Sequence, residues 1–259
     1  MLPHLKDRPL VVDRYPNGIA GKHFFQKHAA ASTPDWIRTA AVMKDEKRTR
    51  YIICNDMDTL LYLANLGTIP IHTWASRLTT LARPDWCVID LDPKDAPFKH
   101  VIQLARELRS LCRKLSIPCS IKTSGATGLH ILIPLGAQYT HEQCRLFGAL
   151  IAKLLVQRLP DIATTEQRLS KRQGKVYVDS GQNGRGRLLV AAYSVRPLVG
   201  ATVGVPLRWD EVRVGLDPSQ FTIKTVPNRV KRMKVDPVIE TLKQQLDLET
   251  VLQDLSRLL

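Results

Sequence analysis

Nowhere in these 259 residues does an apolar run last long enough to cross a bilayer, which takes about 20 consecutive apolar residues. The opening MLPHLKDRP lacks the order of a signal peptide, so a cytoplasmic protein with no membrane partner is expected. Cysteine is scarce: Cys54, Cys87, Cys112, Cys119 and Cys144 form an odd set of five, never spaced as CxxC. Most have apolar neighbours. A disulfide framework and a zinc site are therefore not expected, and these cysteines read as buried thiols in a reducing compartment. Internal repeats and low-complexity tracts are absent. Acidic residues are also in short supply, with 24 Asp and Glu against 38 Lys and Arg, for a net charge of +14. A field of that sign draws polyanions, so nucleic acid or nucleotides are the expected partners. The length suits one large domain or two small ones, with a sizeable core.

Pro, Gly and aromatics mix over residues 8–28, which suggests turns and short strands. DMDTLLYLANL (56–66) has helical spacing with Asp56 as a candidate N-cap. Thr68–Ala75 and Trp86–Asp92 read as strands. Pro97–Leu115 reads as a helix, with Asp95 as its candidate cap and Leu104, Leu108, Leu111 and Leu115 on its apolar stripe. Cys119–Thr123 is a strand, SGATG turns the chain, and Leu129–Leu135 returns as the second arm of an antiparallel hairpin. A second long helix is expected over His141–Leu159. Val176–Asp179 is a strand and QNGRGR a turn; Leu188–Val195 is then expected to pair back on the Asp179 strand. VPNRVKRMK (226–234) reads as a basic loop and Asp236–Leu259 as a closing helical segment. A mixed sheet with helices packed on it accommodates all of these.

Three short motifs carry chemistry. In WCVIDLD, residues i and i+2 of a strand share a face, so Asp90 and Asp92 project together. Burying two like charges unpaired is costly. A divalent cation removes that cost, and carboxylate oxygens suit Mg²⁺ and Mn²⁺; a strand-end pair facing water is the plainer reading. In KVYVDSGQN, Asp179 closes another strand. Three such carboxylates can hold two metals about 3.5–4 Å apart for phosphoryl transfer, although an Asp before Ser-Gly also starts turns. In KTSGATGLHILIPL, Gly125 and Gly128 permit a tight turn whose N–H groups can face phosphate. His130 lies on the face opposite Leu129, Ile131 and Ile133, where it either donates to a triphosphate or serves as a structural histidine.

DLD, SGATGLH, VDSGQN and AAYSVRP, in that order, resemble the polymerase domain of bacterial non-homologous end-joining ligase D, a member of the archaeo-eukaryotic primase superfamily. RYPNGIAGKHFFQKHA and IPIHTW are similar to the same family, so the resemblance runs from about Arg8 to PLRWDEV near residue 212. It implies an α/β, archaeo-eukaryotic primase-type fold: a mixed sheet with an RRM-like catalytic core and flanking helices. The implied organisation is one primase/polymerase domain over 1–259, with an N-terminal α/β module (1–80), the core (81–225) and a C-terminal helical segment (226–259). The implied activity is template-dependent addition of nucleotides, ribonucleotides by preference, to a 3′-OH at a DNA break or gap. It would use two Mn²⁺ or Mg²⁺ ions. The alternative is a non-catalytic DNA-end-binding module.

The resemblance also implies site residues. Asp90, Asp92 and Asp179 would hold the metals. Ser124, Gly125, Gly128 and His130 would hold the nucleotide in the Gly-rich turn, with Arg172 and Arg196 on its phosphates, Gln182 in support and His72 beside it. Phe24 and Phe25 would stack template bases, and Arg14, Lys22 and Lys27 would lie near DNA or nucleotide. Bland readings stand beside these: strand alternation can put one Phe in the core and one outside, Arg196 before Pro197 can be a surface residue, and His72 can pack on Trp74. Thr127 stands where many relatives have lysine, so one phosphate contact is expected to come from elsewhere. Relatives also open with a longer segment carrying a lysine for a 5′-phosphate, which this sequence does not show. No KxDG-type ligase nucleophile is present, so the implied partners are primer-template or gapped DNA, NTP or dNTP, a DNA ligase and a Ku-like protein.

Overall fold

The computed structural model describes residues 1–44 and 46–257. In chain order the strands are β1 (Leu10–Arg14), β2 (Phe24–Gln26), β3 (Thr39–Lys44), β4 (Lys47–Ile52), β5 (Thr68–Thr73), β6 (Trp86–Asp92), β7 (Ser120–Thr123), β8 (Leu129–Pro134), β9 (Ala163–Thr164), β10 (Val176–Asp179), β11 (Leu189–Val190) and β12 (Pro206–Leu207). The helices are α1 (Leu2–Leu5), α2 (Met57–Asn65), α3 (Phe98–Lys114), α4 (His141–Arg158), α5 (Val226–Arg232), α6 (Pro237–Leu242) and α7 (Leu248–Ser256). A six-stranded sheet has the order β12-β7-β8-β6-β10-β9, a four-stranded one the order β11-β5-β1-β2, and β3-β4 is a separate hairpin. The large sheet is mixed, because β9 pairs parallel to β10 while the other pairs are antiparallel.

Alternation along β6 decides the layers. Cys87, Ile89 and Leu91 are fully buried and pack with Leu104 and Leu108 of α3 and Ile151 and Leu155 of α4. Val88 points the other way and meets Leu132 of β8 and Leu189 of β11, joining the two sheets. Asp90 and Asp92 follow Val88 on that inter-sheet face. Asp56 caps α2 as expected, accepting from the Thr59 N–H at 2.7 Å. Thr140 and Gln143 form a reciprocal capping box at α4. All five cysteines are free and buried. Among the described residues no helix is long and apolar enough to cross a membrane.

Three local expectations are corrected and one is refined. Asp95 does not cap α3: Pro97 occupies the N-cap position without a side-chain bond, and a turn closed by the Ala96 N–H on Pro93 leaves Asp95 exposed. Residues 226–232 form α5 rather than a loop. Pro227 falls in its first turn, where a missing N–H costs nothing, and Arg229 is locked on both Glu211 oxygens at 2.6 and 2.8 Å. The closing segment is two helices, α6 and α7, broken at 243–247; its last two residues, 258–259, lie outside the described residues. Finally, Leu188–Val195 does not pair with the Asp179 strand. β10 already has β6 on one side and β9 on the other, so the chain crosses to the small sheet, where Leu189 and Val190 pair with Thr73 and His72 of β5.

Candidate active site

Sheet register assembles a polar row from four strands. Asp179 of β10 lies directly across from Asp90 of β6, Asp90 from His130 of β8, and His130 from Lys122 of β7. Direct cross-strand partners share a face, with Cβ atoms about 4.5–5.5 Å apart. Asp92 extends the row along β6, opposite Tyr177. Asn183, in the turn after Asp179, holds this edge in place. Its side chain accepts from the Val88 N–H at 2.7 Å and donates to the Val88 carbonyl at 2.8 Å.

The carboxylates are already engaged by protein groups. Arg172 donates to Asp92 at 2.9 Å while its guanidinium lies 4.3 Å from the Tyr177 ring centre. Asp179 accepts from the Gly181 N–H at 2.7 Å, the Tyr177 hydroxyl at 3.1 Å and the Gln182 amide at 3.4 Å. Among the described residues, no three His, Cys, Asp or Glu side chains converge into a finished metal cage. Asp90 carries the strain of the arrangement: burial first, then the charges of Asp179 and Asp92, push its carboxyl up to about 7 against the opposing pull of Lys122 and Arg196. His130 Nε2 is 3.5 Å from Asp90 Oδ1. This is not an ion pair. Burial, Lys122 and Arg196 hold the imidazole well below its usual value, so it is neutral.

The Gly-rich turn closes one side. Ser124 Oγ accepts from the N–H groups of Ala126 and Gly128, at 3.1 and 3.0 Å. Those two amides are thus committed to the turn rather than free to cradle phosphate, while the serine hydroxyl hydrogen remains free to donate. Gly125 has φ +76°, and a Cβ there would sit 2.8 Å from Arg196 Cγ. A Cβ on Gly128 would lie 2.4 Å from the Leu91 carbonyl oxygen. Both glycines are needed for the turn to sit against β6 and Arg196.

A cleft of about 250 Å³ opens over the row, bordered by His72, Asp90, Asp92, Ser124, Gly128, His130, Gln182 and Arg196. Arg196 is therefore not a surface residue, although it arrives from the small-sheet side and not through a hairpin with β10. Its guanidinium is partly desolvated, which lowers its pKa, and Tyr15, Asp90 and Asp13 pull in the opposite direction. His72 of β5 is lowered to about 4 by burial and Arg196.

Of the aromatic pair, only the bland reading, one Phe in the core, is corrected. Phe24 and Phe25 point to opposite faces, as alternation requires, yet both are exposed, at 48% and 57%. They belong to a three-residue edge strand whose far face has no covering layer. The Arg14 guanidinium lies 5.3 Å from the Phe24 ring centre, and Phe25 stands 5.9 Å from His72, at the mouth of the cleft. Arg14 is committed to the Leu66 carbonyl and to Gln26; Lys22 and Lys27 are exposed beside the pair.

Sequence reasoning missed Lys122, whose strand, Ser-Ile-Lys-Thr, gives no local sign that the lysine is buried. It also missed a cluster under the aromatic platform. Buried Asp13 accepts from Tyr15 at 3.0 Å and pairs with His23 at 2.9 Å, and His23 stacks flat on Tyr15 with ring centres 4.8 Å apart.

The chain is similar to known proteins. The chain is 36% identical over 234 residues to the bifunctional non-homologous end joining protein LigD of Bacillus subtilis, covering 90% of this chain and 38% of that protein. It is 32% identical over 237 residues to the multifunctional LigD of Pseudomonas aeruginosa, covering 91% of this chain and 28% of that protein. It thus spans about a third of the length of these relatives. The structure of the polymerase domain of Mycobacterium tuberculosis ligase D in complex with DNA superposes with a TM-score of 0.87 at 28% identity, over 95% of this chain and 88% of that one. The fold is accordingly the α/β, archaeo-eukaryotic primase type. Since residues 1–238 match the LigD primase-polymerase domain, the chain belongs to that family.

Proposed function

We propose that this chain is a template-dependent nucleotidyltransferase that adds nucleotides to a 3′-OH at a DNA end or gap during non-homologous end joining. The single observation that carries the reading is the register that sets Asp179 beside Asp90, with Asp92 two residues on, in a cleft shared with Arg196 and His130. Similarity to LigD proteins and to a polymerase domain solved with DNA supports it, as does the charge of +14. The proposed division is 1–80 as N-terminal α/β module, 81–225 as RRM-like catalytic core and 226–259 as C-terminal helical segment.

Asp90, Asp92 and Asp179 fit a divalent metal: all three offer carboxylate oxygens, and the repulsion that raises Asp90 is what a cation relieves. Two Mn²⁺ or Mg²⁺ ions, when bound, lower the pKa of the primer hydroxyl and neutralise charge on the departing pyrophosphate. The remaining work belongs to the protein. Asp92 turns from Arg172, which frees that guanidinium for phosphate. Arg196 and the neutral His130 donate to the triphosphate, and the Ser124 hydroxyl and Gln182 hold its edges. His72 and the exposed face of Phe25 flank the nucleotide and the template base, with Phe24, Arg14, Lys22 and Lys27 along the DNA. Ribonucleotide preference, a Ku-like recruiter and sealing by a DNA ligase belong to this proposal.

Extension of a labelled primer on a gapped duplex, with Mn²⁺ and one templated nucleotide, tests it. Templated addition is expected; DNA binding without addition under any metal would favour a non-catalytic end-binding module. The assay also reads Arg196. A guanidinium meets two phosphate oxygens at once, which an ammonium does not. Arg196→Ala is expected to raise the nucleotide KM about 10- to 100-fold, the range for a charged hydrogen bond lost from a buried site, and to slow single-turnover chemistry. Arg196→Lys should recover only part of the loss. Wild-type constants in Arg196→Ala would remove this residue from the site.

A further inference from the structure

Lys122 is buried to 2% exposure, yet among the described residues it makes no ion pair. Its amino group donates only to the Thr123 carbonyl, at 3.2 Å. A buried ammonium with one weak acceptor is costly unless negative charge lies near it. Register shows where that charge is. Lys122 ends the row that runs through His130 to Asp90 and Asp179, and Asp90 is the one neighbour that favours its charged form. Arg196 opposes it. Its ammonium does not reach the cleft. On the other side Lys122 borders a separate cavity of about 210 Å³, walled by Trp86, Leu132, Val190 and Leu242.

We propose that Lys122 is an electrostatic positioning residue, a buried cation that sets the charge balance of the cleft. It makes the site weaker for free divalent metal and stronger for the nucleotide polyphosphate. The inference rests on the proposed nucleotidyltransferase reading and goes beyond it. A neutral His130 separates Lys122 from Asp90, so the lysine acts through space and touches neither metal nor substrate. Two strand spacings put it roughly 10 Å from the carboxylate. At an effective dielectric of about 20, one unit charge at that distance changes an ionic affinity by on the order of tenfold. The sign is opposite for the two ligands: a cation repels Mn²⁺ and attracts polyphosphate. Loss of packing or of fold would weaken both.

That opposition is the test. Lys122→Met keeps the length of the side chain and removes the charge, while Lys122→Arg keeps the charge, with the neighbouring cavity leaving room for the larger head group. Both affinities are read at pH 6, where the amine is mostly protonated; that for Mn²⁺ comes from the electron paramagnetic resonance signal of free Mn²⁺, with no nucleotide present. Nucleotide affinity is read by equilibrium dialysis. Lys122→Met should bind Mn²⁺ about five- to tenfold more tightly and nucleotide about five- to tenfold more weakly; Lys122→Arg should return both to near the wild-type values. Lys122→Gln serves as a second neutral variant if the methionine disturbs folding. Unchanged constants in the neutral variants, or both affinities falling together, overturn the proposal. Mn²⁺ binding by the wild type that is lost in Asp92→Asn keeps the parent reading intact whichever way Lys122 falls. No Mn²⁺ binding by the wild type overturns both.

Discussion

Asp90→Asn is expected to abolish nucleotide addition and, in metal-free buffer at pH 8, to raise the melting temperature. The two effects have one cause. Asp90 sits half-buried between Asp179 and Asp92, and burial plus their charge lifts its carboxyl from 3.8 to about 7. A carboxyl raised in the folded state is penalised once ionised. The penalty is absent below about pH 4, builds between about 4 and 7, and is constant above. Three units are worth about 4 kcal/mol at most, and the partial exposure of the side chain reduces this to about 2 kcal/mol. Asparagine keeps the shape without the charge, so the melting temperature should rise by about 5 °C at pH 8 and by about a third of that at pH 5. Mn²⁺ reverses the order, because it stabilises only the protein that binds it. Scanning calorimetry at the two pH values, with and without Mn²⁺, measures all of this. A lower melting temperature for the metal-free variant at pH 8, or a gain that ignores pH, would show that the three carboxylates do not strain the fold.

The second large effect is expected at Arg8, far from the chemistry. This side chain has no solvent exposure. It donates to the Ala75 carbonyl at 2.7 Å, pairs with Asp85, and lies 4.0 Å from the Trp86 ring centre. Ala75 follows β5 and Asp85 precedes β6, so one guanidinium ties the end of the small sheet to the start of the strand that carries Asp90. Burial lowers it to about 10, with Asp85 opposing, and it stays charged at neutral pH. Arg8→Met leaves the Ala75 carbonyl with the Asp85 N–H alone and halves the guanidinium partners of Asp85, which keeps Arg77 at 2.8 Å. A cost of about 2–4 kcal/mol follows, or a drop of about 5–12 °C in melting temperature. Arg77→Met, at a more exposed position, should cost under about 1 kcal/mol. Below the transition the nucleotide KM of Arg8→Met should also rise, because His72 and Asp90 come from the two sheets that Arg8 joins. A loss of less than about 2 °C would assign the sheet junction to apolar contacts alone.

By itself the sequence determined what depends on neighbours a few residues apart. Period-two alternation in WCVIDLD put Asp90 and Asp92 on one face and Cys87, Ile89 and Leu91 on the other. The Asp56 cap, the leucine stripe of α3 and the hairpin through SGATG were legible for the same reason, since capping and side-chain periodicity are local. The ordered motifs carried the family and hence the fold type. What the tertiary structure alone decided involves distant partners. Asp179 stands beside Asp90 because β10 pairs with β6 in one register out of several, and no spacing in the chain encodes that choice. With β9 on its other edge, β10 had no room for residues 188–195, so the chain crosses the small sheet first and Arg196 reaches the cleft beside Thr202, on the way to β12. Asp95 looked like a cap until Pro97 took the position, and Phe24 and Phe25 are both exposed because β2 ends its sheet. Lys122 drew no reading from the sequence. Its place in the acidic row follows from pairing across three strand boundaries, and its buried charge acquires a meaning only from what that pairing sets nearby.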